Sequence, residues 1–152
     1  NFPDLFRRAA EYVDKILRGV KPSDLPAVTK TDHASFDALW HNSSDTIERA
    51  YSQALYATVA EGRDGIIGYQ LTTGHQQRAH LARLAVHPSL QGRGVGQALL
   101  SDLYGRLKQA GIMRLSVNTQ SDNSASLSLY KKMGFSRTGE EYPVYTTNIP
   151  AS

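Results

Sequence analysis

One glycine-rich segment constrains this chain more than any other feature. Gln91-Gly92-Arg93-Gly94-Val95-Gly96 joins an apolar run, Leu81–Val86, to an amphipathic one, Val95–Ala110. The first run predicts a buried strand and the second a helix, so the glycines lie where a strand turns into a helix. The first N–H groups of a helix lack partners within it, and the helix dipole makes that end positive. Because glycines let backbone close around an anion without Cβ clashes, the segment predicts a phosphate or diphosphate site.

Two other phosphate-binding motifs do not fit this segment. A P-loop ends in Gly-Lys-Ser/Thr, whereas Gly96 is followed by Gln97 and Ala98. The dinucleotide fingerprint requires G-x-G-x-x-G spacing, whereas Gly92, Gly94 and Gly96 are each two residues apart. On these glycines alone, a connecting turn that binds nothing is an equally good interpretation.

The rest of the chain alternates strand-like and helix-like segments. The predicted helices are residues 2–13, residues 24–36, Ser44–Ala54, Val95–Ala110 and Ser124–Met133. The predicted strands are Ile16–Val20, Leu55–Ala60, Gly65–Thr72, Leu81–Val86, Met113–Val117, Phe135–Thr138 and Val144–Thr147. Ser44 or Asp45 is expected to cap its helix, and Thr73–Arg78 is expected to be a polar turn. The pattern predicts one α/β domain over residues 1–152, with an N-terminal extension at residues 1–12.

Composition excludes several classes of protein. The chain has no cysteine, which excludes disulfides, thiolate zinc sites and cysteine nucleophiles. A net charge of +3 fits an anionic small molecule equally well and taken alone decides nothing, but the basic residues are scattered and not concentrated in one stripe, so no nucleic-acid partner is expected. The apolar runs are short, so neither a membrane span nor a signal peptide is predicted, and a cytoplasmic location is expected. The histidines lack H-x-x-x-H spacing and the serines lack a G-x-S-x-G elbow, so no metal site and no serine hydrolase is expected.

Several motifs in order resemble the GCN5-related N-acetyltransferase (GNAT) superfamily. Gln91, Gly94 and Gly96 match its signature, Gln/Arg-x-x-Gly-x-Gly/Ala. The run Asn123-Ser-Ala-Ser-Leu-Ser-Leu-Tyr-Lys-Lys-Met-Gly-Phe135 is similar to the family's second cofactor motif, with one residue's difference in the spacing of Asn and Ala. The likeness covers about residues 15–148 and is closest to the ribosomal-protein alanine N-acetyltransferase branch.

This resemblance implies a fold and a co-substrate. The fold is a mixed, mostly antiparallel sheet of six to seven strands flanked by helices, and the co-substrate is acetyl-CoA, with no metal. The thioester and pantetheine would meet the strand at Leu84–Val86, where a bulge splays two strands apart. The residues expected to bind the cofactor are Leu84, Ala85, Val86, Gln91, Gly92, Arg93, Gly94, Val95, Gly96, Asn123 and Tyr130.

The resemblance also suggests an acid and a base. Tyr130 lies where the family places a tyrosine near the thioester sulfur, although a tyrosine packed in the core is the alternative. His80 lies eleven residues before Gln91, where the histone acetyltransferase branch has a glutamate, and histidine titrates near pH 6.5. A single structural hydrogen bond is the alternative for His80. Glu61 and a water chain are weaker candidates for the base.

The acceptor side is less defined. Asn118 stands where the ribosomal-protein alanine branch has a glutamate, and an amide cannot take a proton. Tyr142 and Tyr145 lie in the closing hairpin, where they either line the acceptor site with Glu61 and Asn118 or pack across strands. The expected reaction is direct attack by a primary amine, on a small molecule or a protein N-terminus, in a ternary complex. The expected state is a monomer or homodimer, and the rival is a non-catalytic acetyl-CoA-binding regulatory module.

Overall fold

The structure, a computed structural model, describes residues 16–36, 42–119, 124–137 and 144–149. The predicted N-terminal extension, Asn123 and Tyr142 lie outside these ranges. The described strands are β1 Ile16–Gly19, β2 Tyr56–Gly62, β3 Gly65–His75, β4 Arg78–Val86, β5 Arg114–Asn118, β6 Ser136–Arg137 and β7 Val144–Asn148. The described helices are α1 Leu25–Ser35, α2 Ser44–Gln53, α3 Val95–Gln109 and α4 Ser124–Lys132, with short 3₁₀ turns at Pro22–Asp24 and Pro88–Leu90.

All seven described strands form one sheet in the order β1-β2-β3-β4-β5-β7-β6. β4 and β5 run parallel, whereas the other described neighbours pair antiparallel. Helices α3 and α4 pack on one face and helices α1 and α2 on the other. The predicted fold, a mixed and mostly antiparallel sheet flanked by helices, is therefore confirmed.

Helix α3 follows directly from its sequence pattern. Val95, Leu99, Leu103 and Leu107 recur every four residues and are at most 1% exposed, so one stripe of the helix is buried against the sheet. Gly111 ends the helix as expected, in a left-handed conformation with φ of 74°. The N–H of the next residue, Ile112, then donates to the carbonyl of Leu107 at 2.9 Å.

Two local predictions were wrong. The segment Thr73–Arg78 is not all turn: β3 continues to His75, and β4 begins at Arg78. Backbone pairing of Thr73 with His80 and of His75 with Arg78 extends the hairpin, so the ladder prevails over the polar composition. In addition, the cap of α2 is Ser43, whose hydroxyl accepts the Thr46 N–H at 3.2 Å.

The strand bulge lies two residues earlier than expected. The pairing of β3 with β4 shifts between Leu71–Arg83 and Thr72–Leu81, which leaves Ala82 as the extra residue. The parallel pairing of β4 with β5 also ends at Leu81, opposite Val117. Beyond that point the two strands separate, and within the described residues Ala82–Val86 has no partner on the β5 side. The structure therefore has the expected gap between the two strands, opened at Ala82 instead of within Leu84–Val86.

Candidate functional site

A cavity of about 660 Å³ opens where β4 and β5 separate. It is bordered by the end of β4, the glycine-rich turn, the start of α3, the end of α1 and the outer face of α4. Nine of the eleven residues expected to bind a cofactor line it, namely Leu84, Ala85, Val86, Gln91, Gly92, Arg93, Gly94, Val95 and Gly96. Of the other two, Asn123 lies outside the described residues and Tyr130 is not part of the lining.

The glycine-rich turn presents a helix N-terminus to this cavity. The first backbone bond of α3 joins the Ala98 N–H to the Gly94 carbonyl at 3.0 Å, so the N–H groups of Val95, Gly96 and Gln97 precede the helical ladder. Together with the helix dipole, these groups favour an anion at this end of the cavity.

Two of the glycines are required by the geometry. Gly94 has a φ of 83°, a left-handed conformation that a residue with a Cβ adopts only with strain. A Cβ on Gly96 would lie 2.9 Å from the Leu129 side chain, so Gly96 lets α3 and α4 approach each other. The two glycines therefore let the backbone of the turn lie close to α4 and border the cavity directly, without a side chain in between.

Gln91 has a supporting contact within the protein. Its side-chain Nε2 donates to the Val86 carbonyl at 3.2 Å, and the Ser35 hydroxyl donates to the same carbonyl at 2.9 Å. These two bonds tie the turn and the end of α1 to the last residue of β4. The signature glutamine thus shapes the cavity through the backbone of β4.

His80 lies on β4 just before the two strands separate. Its Nδ1 is 2.8 Å from the hydroxyl of Ser116, the residue beside it on β5. Burial lowers the pKa of His80 below the usual value of about 6.5, so the ring is neutral at pH 7. The side chain is outside the cavity lining but on the strand that forms one wall.

Tyr130 is packed in the core on the α3–α4 face. It is 6% exposed, and its ring centroid lies 5.3 Å from that of Phe135. Burial raises the pKa of Tyr130 to about 12, although the positive charge of Arg83 acts in the opposite direction. The phenol is thus protonated at neutral pH and is better suited to donating a hydrogen bond than to releasing its proton.

The four expected acceptor residues are not brought together as a group. Glu61 forms an ion pair with Arg18, 3.2 Å between Oε2 and Nη2, on β2, two strands away from β4. Asn118 is exposed at the end of β5, close to the strand gap. Tyr145, on β7, is half-buried against the core beside α3 and α4. Tyr142 lies outside the described residues.

Sequence reasoning missed a buried ion pair beside the cavity. Asp32 on α1 is fully buried, and its two carboxylate oxygens accept bonds from Nε and Nη2 of Arg83 on β4 at 2.8 and 3.1 Å. The signal was present, because Asp32 lies four residues after Val28 and three before Ser35, on the inward stripe of α1. A carboxylate at a buried helix position requires a partner, and here the partner comes from the sheet.

The cavity lining also includes residues that were not among the expected cofactor contacts. They come from the end of α1 and the residue after it, the 3₁₀ turn, the start of α3, and α4, and are Ser35, Phe36, Leu90, Gln97, Ala125, Ser126, Ser128, Leu129 and Lys132. The α4 residues recur three or four apart and so share one face, which the sequence could have shown. Within the described ranges, no three side chains of His, Asp or Glu converge as metal ligands would, and no helix is long and apolar enough to cross a membrane.

Comparison with known proteins adds a family assignment. Residues 25–135 match the model of a family described as the acetyltransferase (GNAT) family. The mycothiol acetyltransferase of Renibacterium salmoninarum is 28% identical over 111 residues, which cover 66% of this chain and only 33% of that protein. The bS18 ribosomal-protein alanine N-acetyltransferase of Escherichia coli is 23% identical over 131 residues, which cover 86% of this chain and 87% of the relative.

Solved structures agree on the fold. The crystal structure of the Escherichia coli S18-alanine N-acetyltransferase has a TM-score of 0.78 at 20% identity and covers 91% of this chain and 96% of its own. The PaiA N-acetyltransferase of Thermoplasma acidophilum, solved in complex with coenzyme A, has a TM-score of 0.79 at 18% identity and covers 88% of this chain and 98% of its own.

Proposed function

This chain belongs to the acetyltransferase (GNAT) family, and from that premise we propose that it transfers the acetyl group of acetyl-CoA to a primary amine by direct attack in a ternary complex. The observation that carries the proposal is the cavity beside the end of β4, beyond the point where β4 and β5 separate. It gathers the glycine-rich turn, a helix N-terminus and an unpaired strand edge around one space of about 660 Å³.

The proposed cofactor position follows from the two kinds of backbone group in the cavity. The diphosphate would meet the N–H groups at the start of α3, with Arg93 adding positive charge. The pantetheine arm would pair with the strand edge Ala82–Val86 in the manner of an added strand. The thioester carbonyl would then accept a hydrogen bond from a backbone N–H within Leu84–Val86, which stabilises the oxyanion as it forms.

His80 is the proposed base. A donor bond from its Nδ1–H to the Ser116 hydroxyl would leave Nε2 with a lone pair to accept the proton of the amine. The neutral amine nitrogen attacks the carbonyl carbon, the tetrahedral oxyanion collapses, and the C–S bond breaks to release CoA as its thiolate. The absence of cysteine excludes a cysteine acyl-enzyme, which supports direct attack.

Tyr130 is proposed to stabilise the leaving thiolate. With a pKa near 12, its phenol is a weaker acid than a CoA thiol of about 8 to 9, so full proton transfer is unfavourable. A hydrogen bond from the phenol to sulfur needs no such transfer and still offsets the developing negative charge. The thiolate takes its proton from solvent after release.

The acceptor is proposed to be an amine on a small molecule or a protein N-terminus. One relative is named a ribosomal protein bS18-alanine N-acetyltransferase, and the other a mycothiol acetyltransferase. Asn118 and Tyr145, together with Tyr142, are the proposed acceptor contacts. Because Asn118 cannot act as a base, His80 takes that role in this proposal.

The decisive experiment detects free CoA thiol. The purified protein is given acetyl-CoA and a panel of amines, and thiol release is followed with a disulfide reagent. We expect release that depends on one class of amine. Binding of acetyl-CoA with a raised melting temperature but no thiol release from any amine would contradict catalysis and favour a regulatory acetyl-CoA-binding module, a reading consistent with Asn118.

A further inference from the structure

A buried ion pair connects α1 to the cavity strand at its bulge. Arg83 is the residue after the bulged Ala82, and it places Nε and Nη2 on the two oxygens of Asp32, 51 positions away in the chain. Asp32 is fully buried and the Arg83 side chain is 18% exposed. Two parallel bonds of this kind fix the plane of the guanidinium as well as its position.

Asp32 has its hydrogen-bonding capacity filled. Besides Arg83, it accepts from the Tyr69 hydroxyl at 2.5 Å and from the Asn42 backbone N–H at 2.7 Å. Burial alone would raise the pKa of Asp32, but the bonds from Arg83, Tyr69 and Asn42 outweigh it and lower the pKa below the usual range. The carboxylate is therefore ionised at neutral pH. Apolar side chains of similar volume often stabilise a protein as much as a buried ion pair does. A contribution to stability is therefore a poor explanation for the presence of Asp32 and Arg83.

The fixed guanidinium in turn holds an aromatic ring. The Arg83 Cζ lies 3.7 Å from the centroid of the Phe36 ring, a close cation–π contact. Phe36 follows the last residue of α1 and lines the cavity, together with Leu84 to Val86 of β4. The pair thus acts on the cavity through one ring.

We infer that Asp32 and Arg83 form a positioning unit that holds Phe36 as the cavity wall against the pantetheine arm near the thioester. The inference rests on the proposed function, because it assigns a part of the same cavity. Phe36 belongs to the end near the strand gap, since Arg83 directly precedes Leu84 on β4.

The test compares two ligands that share one end. CoA has the pantetheine arm, whereas adenosine 3′-phosphate 5′-diphosphate has the nucleotide and diphosphate without it. Titration calorimetry measures both affinities for Asp32→Asn/Arg83→Met, which removes both charges. The new amide keeps one acceptor oxygen, for either Tyr69 or the Asn42 N–H, which bond to different oxygens of Asp32. We expect CoA affinity to fall about tenfold, since the ring loses its cation–π contact, while the nucleotide changes by less than about twofold.

A matched control is available on α3. Asp102 and Arg106 form a similar pair, also 2.8 Å between Oδ2 and Nε, that is remote from the cavity lining. Asp102→Asn/Arg106→Met should leave the affinities for both ligands unchanged. Arg83→Lys keeps a positive charge but not the planar fork, so it should recover part of the lost CoA affinity.

A double-mutant cycle separates positioning from general loss of structure. Phe36→Leu alone should weaken CoA binding selectively. When Asp32 and Arg83 are replaced in the Phe36→Leu variant, CoA affinity should fall little further, because the pair acts through the Phe36 ring. If the double replacement fails to fold, Arg83→Lys takes its place in the cycle.

Three results would overturn the inference: equal loss of both ligands, unchanged CoA affinity in the folded variants, or additive losses in the cycle. Failure of the unaltered protein to bind either ligand would instead refute the proposed function.

Discussion

The two ends of the cavity are built in different ways. The turn end consists of consecutive residues, Gln91 to Gln97, and presents backbone N–H groups to the cavity. The strand end consists of Phe36 and Leu84–Val86, with Arg83, His80 and Tyr130 nearby. Phe36 contacts Arg83 and His80 contacts Ser116, partners distant in sequence, whereas Tyr130 packs on Phe135. A backbone site tolerates most changes of side chain except at glycine, whereas a side-chain site depends on each partner.

A single added side chain at the turn end should abolish most of the binding of CoA. Gly94→Glu adds a Cβ at a φ of 83° and a negative charge at a helix N-terminus, so we expect CoA affinity to fall at least about a hundredfold. Calorimetric titration with CoA measures this loss. Gly105→Glu is the matched control: it lies in the same helix, is exposed, and its Cβ would meet no described atom within 4 Å. Near-normal affinity of Gly94→Glu would remove the diphosphate from this turn.

A substitution at the strand end should lower the turnover of the protein and leave its affinity for the cofactor nearly unchanged. His80→Gln removes the proposed base, and we expect kcat to fall about a hundredfold with little change in the acetyl-CoA Kd. In the unaltered protein, the acid limb of kcat/KM should lie below pH 6.5, because burial lowers the pKa of His80. A limb above that value, or an unchanged rate in His80→Gln, would assign the proton to another group or to water.

Tyr130→Phe, also at the strand end, should lower turnover by less than His80→Gln does. Removing one hydrogen bond to the thiolate should lower kcat about tenfold, whereas the ring contact with Phe135 is retained. Steady-state kinetics with the identified amine measure the change. Tyr104→Phe is the control, since it loses a buried hydrogen bond to the Met133 carbonyl and should cost about 1 kcal/mol of stability without lowering kcat. Equal kcat values for the two variants would leave Tyr130 a packing residue.

The smallest expected effect is on the pH dependence of the stability of the folded protein. His80 has a lower pKa in the folded chain than in the unfolded chain, so the unfolded state binds its proton first. The contribution of His80 to stability is therefore complete above pH 6.5 and is lost as the pH falls below that value toward its folded pKa. The melting temperature should fall more steeply from pH 7 to 5 in the unaltered protein than in His80→Gln. Parallel curves would show that His80 protonates equally in both states.

The turn end could be predicted because its determinants are local. Gly94 and Gly96 are required by backbone geometry and by close approach to α4, and both stand in a short motif between two recognisable elements. The motif did not reveal that Gln91 would bond to the Val86 carbonyl, because that contact depends on how the turn folds back on β4. The same limit applies to the bulge, which the pattern placed within Leu84–Val86 and the structure places at Ala82.

The strand end could be predicted only in part. The family resemblance pointed to His80 and Tyr130, but it did not reveal Ser116 as the partner of His80, or the burial that raises the pKa of Tyr130. Glu61, the weaker candidate for the base, has a partner that the sequence did not reveal. Its position at a strand end suggested a base, whereas the structure engages it with Arg18 on the far side of β3.

The sequence by itself determined the order of strands and helices along the chain and the place of the proposed anion site, because periodicity, caps and glycines act over a few neighbouring residues. Only the tertiary structure decided which side chains surround the proposed reacting end. Asp32 and Arg83 are 51 positions apart and His80 and Ser116 are 36 apart, so strand register and helix packing bring each pair together. Contacts over such separations depend on the whole sheet, and no local pattern specifies them.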